Sequence, residues 1–94
     1  MKIKVKTFAN LRDILGAAEM EQELSQGNTL GDLLDALCSK YGKSFEHQIK
    51  DRSTGAIFPF LLLINGKTFR SVADLDTPLN EGDVVTIMLP FDGG

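Results

Sequence analysis

From Met1 to Phe8 the chain alternates. Ile3, Val5 and Thr7 fall on one side, and Lys2, Lys4, Lys6 and Phe8 on the other. A period of two with β-branched residues inward predicts a half-buried strand. Asn10 is placed to cap a short helix from Leu11 to about Ala18, with Leu11, Ile14 and Leu15 on one side and Gly16 loosening its end. Glu19 to Leu24 alternates again, with Glu19, Glu21 and Glu23 opposed to Met20, Gln22 and Leu24. If these two strands pair antiparallel, a lysine row faces a glutamate row, each opposed pair adding about 0.2–1 kcal/mol. Exposed pairs fall at the low end, so this run reads as a solvated sheet face.

Ser25-Gln26-Gly27-Asn28 is a turn, and Thr29 is the N-cap of the next element, with Asp32 and Asp35 near its positive end. Leu30, Leu33, Leu34, Leu37, Cys38 and Tyr41 recur at i, i+3, i+4, i+7, i+8 and i+11, the apolar stripe of a three-turn helix. Gly42 is expected to end it as a left-handed cap. From Lys43 to Gly55 the pattern weakens: Phe45 and Ile49 are spaced to share a helical turn, and Asp51 to Gly55 has loop composition. The apolar run Ala56 to Ile64 predicts a strand, covered on both faces or covered on one and sticky on the other. Asn65-Gly66 is a hairpin turn, followed by a short return strand, Lys67 to Arg70. Val72, Leu75, Pro78 and Leu79 lie in an irregular connection, Asn80 to Asp83 in a turn, and Val84 to Leu89 in the last strand.

The order is therefore strand, short helix, strand, long helix and three strands. One amphipathic helix has one face to bury, so a sheet wrapping over it gives a two-layer α+β domain. A helix between two hairpins brings the last strand back beside the first, parallel to it, through a right-handed crossover. That is a β-grasp, or ubiquitin-like, fold: a mixed five-strand sheet on one long helix. Residues 1–89 are expected to form this domain and residues 90–94 a flexible tail.

Composition narrows the function. Ninety-four residues fit one domain. Ten basic and thirteen acidic residues leave a net charge of −3, the wrong sign for a nucleic-acid partner. One cysteine forms no internal disulfide, and Cys38 with His47 cannot make a structural zinc site. The alternating N-terminus is not a signal peptide. The longest apolar run has nine residues, including Pro59, against about twenty for a membrane helix. The expectation is a soluble cytoplasmic protein poor in chemically active side chains. Cys38 lies on the helical stripe and reads as core. His47 has no serine or cysteine to activate, no serine sits in a nucleophile elbow, and no phosphate-binding glycine loop is present to hold ATP. A stand-alone enzyme fits poorly.

Two features remain. Phe8 shares the lysine side of the first strand, and Met88, with Val84 and Thr86, shares the corresponding face of the last. Leu61 and Leu63 can join them. Such a group marks a partner site, unless the short helix or a loop covers it. The second feature is Gly93-Gly94, which in isolation reads equally as a frayed terminus.

Three segments resemble the MoaD/ThiS family of sulfur carriers, above all the small subunit of molybdopterin synthase. They are Val5 to Gly16, with Phe8-Ala9 and the short helix Arg12-Asp13-Ile14-Leu15-Gly16; Leu63-Ile64-Asn65-Gly66-Lys67; and Leu79 to Val85 with Pro90-Phe91-Asp92-Gly93-Gly94. Together with the long helix they span the chain apart from about residues 43–55. The tail departs from the family's usual Pro-Pro-hydrophobic-small-Gly-Gly: Leu89 stands at the first proline, and Asp92 at the small residue. The segment Phe8 to Gly16 resembles the molybdenum branch more than the thiamine branch.

The resemblance implies that an adenylating, E1-like enzyme joins AMP from ATP to the Gly94 carboxylate, and that a sulfur donor then leaves a thiocarboxylate. The large synthase subunit, in a heterotetramer, would use that sulfur for the molybdopterin dithiolene. It implies no cofactor bound to this chain. It gives Gly93 the role of threading the tail, and a docking role to Pro90 and Phe91 along with Phe8, Leu61, Leu63 and Met88. A ubiquitin-like modifier joined to other proteins through Gly94, or a carrier for thiamine or another sulfur metabolite, shares the same activated tail.

Overall fold

The computed structural model describes residues 1–89. The expected tail, Pro90 to Gly94, lies outside them. The elements run β1 (Lys2–Lys6), α1 (Ala9–Leu15), β2 (Glu19–Glu23), α2 (Leu30–Tyr41), α3 (Lys43–Ile49), β3 (Leu61–Ile64), β4 (Thr68–Ser71), a short 3-10 helix (Val72–Asp74) and β5 (Val84–Met88).

The five strands form one mixed sheet in the order β2-β1-β5-β3-β4. β5 lies parallel to β1, and every other neighbour is antiparallel. The expected charge ladder is present: Lys2, Lys4 and Lys6 stand opposite Glu23, Glu21 and Glu19. Its contacts are also diagonal, since Lys4 Nζ and Lys6 Nζ both approach Glu19, at 3.9 and 3.6 Å. These groups are about half exposed, so the pairs contribute little.

The inner face of the sheet buries Ile3, Val5, Leu62, Val85 and Ile87 against Leu30, Leu33, Leu34 and Leu37 of α2. Thr29 and Asp32 form a reciprocal capping box at the start of α2. The N–H groups of Leu30 and Gly31 donate to the carbonyls of Thr77 and Leu75. The 75–78 segment therefore closes over this helix end, and it does so closely. A Cβ on Gly31 would lie 3.1 Å from the Leu75 carbonyl oxygen, which explains a glycine in a helical first turn.

Several expectations are corrected. Helix α1 begins at Ala9 with Phe8 as its N-cap and no side-chain cap bond, so Asn10 lies inside the helix. It ends at Leu15 rather than near Ala18, because Gly16 turns left-handed (φ 84°, ψ 0°) and its N–H closes on Arg12. Gly42 does take positive φ, but with ψ −150°, outside the left-handed helical region. Its N–H ends α2 on Cys38, and its carbonyl accepts from Phe45 and Glu46 to start α3. The weakly patterned segment is thus a helix held by burial of Phe45 and Ile49, worth about 1.5–3 kcal/mol for each side chain.

The predicted strand from Ala56 shrinks to Leu61–Ile64. Pro59 has no N–H to give a ladder. Ile57 bridges to Lys50 instead, and Phe60 turns into the core. The return strand begins at Thr68 and the last strand ends at Met88.

Candidate functional site

Every helix lies on one side of the sheet. Leu11 and Leu15 of α1 and Phe45 and Ile49 of α3 enter the same core as α2, so none of them covers the outer face. On that face the register aligns Met88 opposite Leu61, Thr86 opposite Leu63, and Leu63 opposite Phe69. Lys6 flanks Thr86 from β1. Phe8 is extended (φ −133°, ψ 161°) just beyond β1.

Among the described residues four large apolar side chains are solvent-exposed: Phe8 at 54%, Phe69 at 56%, Leu61 at 46% and Met88 at 38%. Leu63 is half-buried and Thr86 buried among its neighbours. A concavity of about 510 Å³ runs between Phe8, Leu63, Val84 and Met88, with Lys6 and Asn65 also in its lining. The structure therefore brings Phe8, Leu61, Leu63 and Met88 to one surface. Pro90, Phe91, Gly93 and Gly94 lie outside the described residues, following directly on β5 and the buried Leu89.

Phe69 is the member that sequence reasoning missed. A two-residue turn would pair Ile64 with Lys67 and turn Phe69 inward. Instead Asn65 and Gly66 take positive φ (55° and 69°), as a primed turn requires. The Lys67 N–H then closes on the Ile64 carbonyl, and Ile64 pairs with Thr68. The extra residue, Lys67, shifts the phase by one and sends Phe69 outward. The only sequence sign was an aromatic residue three places beyond the Asn65-Gly66 turn.

Asn65 also fastens the hairpin to β5. Its side-chain amide donates to Asp83 Oδ1 at 3.0 Å, its carbonyl oxygen accepts from the Val84 N–H at 2.8 Å, and its own N–H donates to the Val84 carbonyl. Asp83 Oδ2 in turn accepts the Asn80 N–H at 2.8 Å. These bonds fix where β5, the strand that leads to the C-terminus, enters the sheet.

Side-chain chemistry is sparse. Burial pushes the Cys38 thiol up, chiefly by desolvation, which leaves it protonated and a poor nucleophile at neutral pH. His47 sits in α3, away from the outer face. Among the described residues there is no group of three or more His, Cys, Asp or Glu placed to hold a metal ion. No described helix is long and apolar enough to cross a membrane.

A mixed sheet in this strand order wrapped on α2, with the last strand parallel to the first, defines a β-grasp, ubiquitin-like domain. A model of the ThiS family matches residues 5–94. The chain belongs to the ThiS family and is a small protein of its sulfur-carrier and ubiquitin-like-modifier type. It is 27% identical over 95 residues to small archaeal modifier protein 3 of Haloferax volcanii, covering 100% of both chains. The crystal structure of SAMP1 from Haloferax volcanii superposes with a TM-score of 0.78 at 25% identity, covering 100% of both chains. The putative molybdopterin converting factor, subunit 1, from Pyrococcus furiosus superposes with a TM-score of 0.71 at 30% identity, covering 96% of this chain and 98% of that one.

Proposed function

We propose that this protein is a sulfur carrier whose reactive group is the C-terminal carboxylate of Gly94, and that its sulfur goes to the dithiolene of molybdopterin. The observation that carries this reading is the family match, which extends through Gly94, in a domain whose described side chains offer little chemistry of their own. In the proposed sequence a carboxylate oxygen of Gly94 attacks the α-phosphorus of ATP on an E1-like activating enzyme. Pyrophosphate leaves, and an acyl adenylate remains. Sulfide from a donor then adds to the acyl carbon and AMP leaves, giving a thiocarboxylate. ATP belongs to the activating enzyme, and this chain holds no cofactor.

In this account the domain is a handle. Gly93 and Gly94 have no Cβ and suit a narrow channel. Pro90 limits backbone freedom where the chain leaves the sheet. Phe8, Leu61, Leu63, Phe69 and Met88, with Phe91 from the tail, dock on the large synthase subunit, an apolar centre being where binding energy concentrates. Catalysis occurs only in that complex. Likeness to the Pyrococcus furiosus protein favours this acceptor.

The second reading is a protein modifier joined through Gly94 to lysines of other proteins, favoured by the relative named small archaeal modifier protein 3. Deleting Gly94 tests the shared core of both: sulfur transfer and conjugation are lost while the fold is retained. Assay with the large synthase subunit against a search for higher-mass conjugates in cell extracts separates them.

A further inference from the structure

A second concavity, of about 260 Å³, lies at the end of α3 and the loop after it, on a different part of the surface from the apolar face. Lys43 and His47 line it from one side of α3, one turn apart, and Lys50 and Arg52 continue the wall. Among the described residues Lys43, Lys50 and Arg52 form no ion pair, although the chain carries a net charge of −3. Two carboxylates also line it. Asp51 Oδ1 accepts the N–H groups of Ser53 (2.7 Å) and Thr54 (3.2 Å), which turns that oxygen toward the loop backbone while its negative charge remains. Glu46 and Asp51 together offset two of the three cationic charges, which leaves a small positive excess.

The wall that carries Arg52 is tightly bonded. Asp51 N–H donates to the Ala56 carbonyl, Gly55 N–H to the Asp51 carbonyl, and Lys50 bridges to Ile57. The backbone that carries Lys50 and Arg52 is therefore fixed. Unpaired cations on a convex surface need no explanation, but these line a concave one. Its volume is below the roughly 300 Å³ at which drug-sized pockets begin, so it suits a compact group. A guanidinium with two ammonium groups and an imidazole matches a phosphoryl oxyanion, the group to which charge-assisted bonds from Arg and Lys are strongest.

We propose that Lys43, His47, Lys50 and Arg52 form a binding site for the phosphoryl group of a small soluble phosphate ester. The site is independent of Gly94, so it stands or falls apart from the sulfur-carrier reading. The test is an amide NMR titration of the whole protein with inorganic phosphate, then AMP, against sodium chloride at matched ionic strength. The expected result is saturable shifts confined to residues 43–57 with both phosphates and not with chloride. K50Q/R52Q should weaken them about tenfold while leaving the remaining spectrum in place. Both side chains make no bond that the fold needs. Vesicles of phosphatidylglycerol form a further arm: signal loss there that the same variant abolishes would move the phosphoryl group to a lipid headgroup and overturn the soluble-ligand assignment. Shifts equal in chloride, spread over Lys2, Lys4 and Lys6, or unchanged in the variant would overturn the site itself.

Discussion

Leu61 and Met88 are register partners across the β3–β5 ladder, and both project from the sheet face that no helix covers. With α1, α2 and α3 all drawn to the other side by Leu11, Leu33 and Phe45, no described helix packs over this pair. If the proposed function holds, replacing Met88 by aspartate should weaken binding to the large synthase subunit proposed as partner about tenfold or more while changing folding stability by no more than about 0.5 kcal/mol. Calorimetric titration and urea unfolding check the two halves. A variant that fails to fold would place Met88 in the core instead.

Phe69 gives a sharper test of the same face, because its position depends on the Lys67 phase shift. Phe69→Ala should leave stability within about 0.5 kcal/mol, as expected of an exposed residue, and should reduce affinity for the same partner. If the hairpin instead turned Phe69 inward, truncation would cost about 3–5 kcal/mol. Urea unfolding distinguishes these outcomes directly.

The start of β5 depends on Asn65. Asn65→Ala removes two side-chain hydrogen bonds and places alanine at φ 55°. The expected loss is about 2–3 kcal/mol, from roughly 1 kcal/mol per bond with a further contribution from the backbone. Asn65→Gly, which keeps the turn and loses only the bonds, should cost less. Equal losses for the two variants would show that the turn conformation contributes nothing.

The 3-10 helix after β4 carries a pH dependence. The Ser71 N–H and hydroxyl donate to Asp74 Oδ2 at 2.9 and 3.2 Å, and chiefly through the backbone bond they hold this carboxyl below its ordinary value of 3.8. A lowered carboxylate stabilises the fold fully above the ordinary value, and the contribution fades as pH falls through the lower native one. Asp74→Asn should therefore be less stable than the parent near neutral pH, with the gap closing in acid. A gap that does not vary with pH contradicts this.

How much of this was legible in the sequence follows the physics of each segment. The β1 alternation and the α2 stripe each repeat a single period long enough to declare themselves; the two-layer packing followed from burying one helix face, and the parallel pairing of the last strand with the first from the crossover. Segment 43–49 was obscure because seven residues hold only two apolar anchors, Phe45 and Ile49, and because Gly42 both ends one helix and starts another. Ala56 to Phe60 looked like strand because its side chains are apolar, yet Pro59 and the inward turn of Phe60 depend on tertiary packing. The outer face was largely readable by counting in twos along β1, β3 and β5. Phe69 escaped since one extra turn residue reverses a strand's facing. The tail motif was legible only through resemblance, because two glycines carry no pattern of their own.

In the proposed function the chemistry resides on the Gly94 carboxylate. Its most direct test is the intact mass of the full chain after incubation with ATP, the E1-like activating enzyme and a sulfur source, with C38S as a parallel sample. The expected result is a gain equal to replacing one oxygen by sulfur, localised by fragmentation to Gly94, present in C38S and absent when Gly94 is deleted. No gain with an activating enzyme proven active on another carrier, or a gain that disappears in C38S, would contradict it.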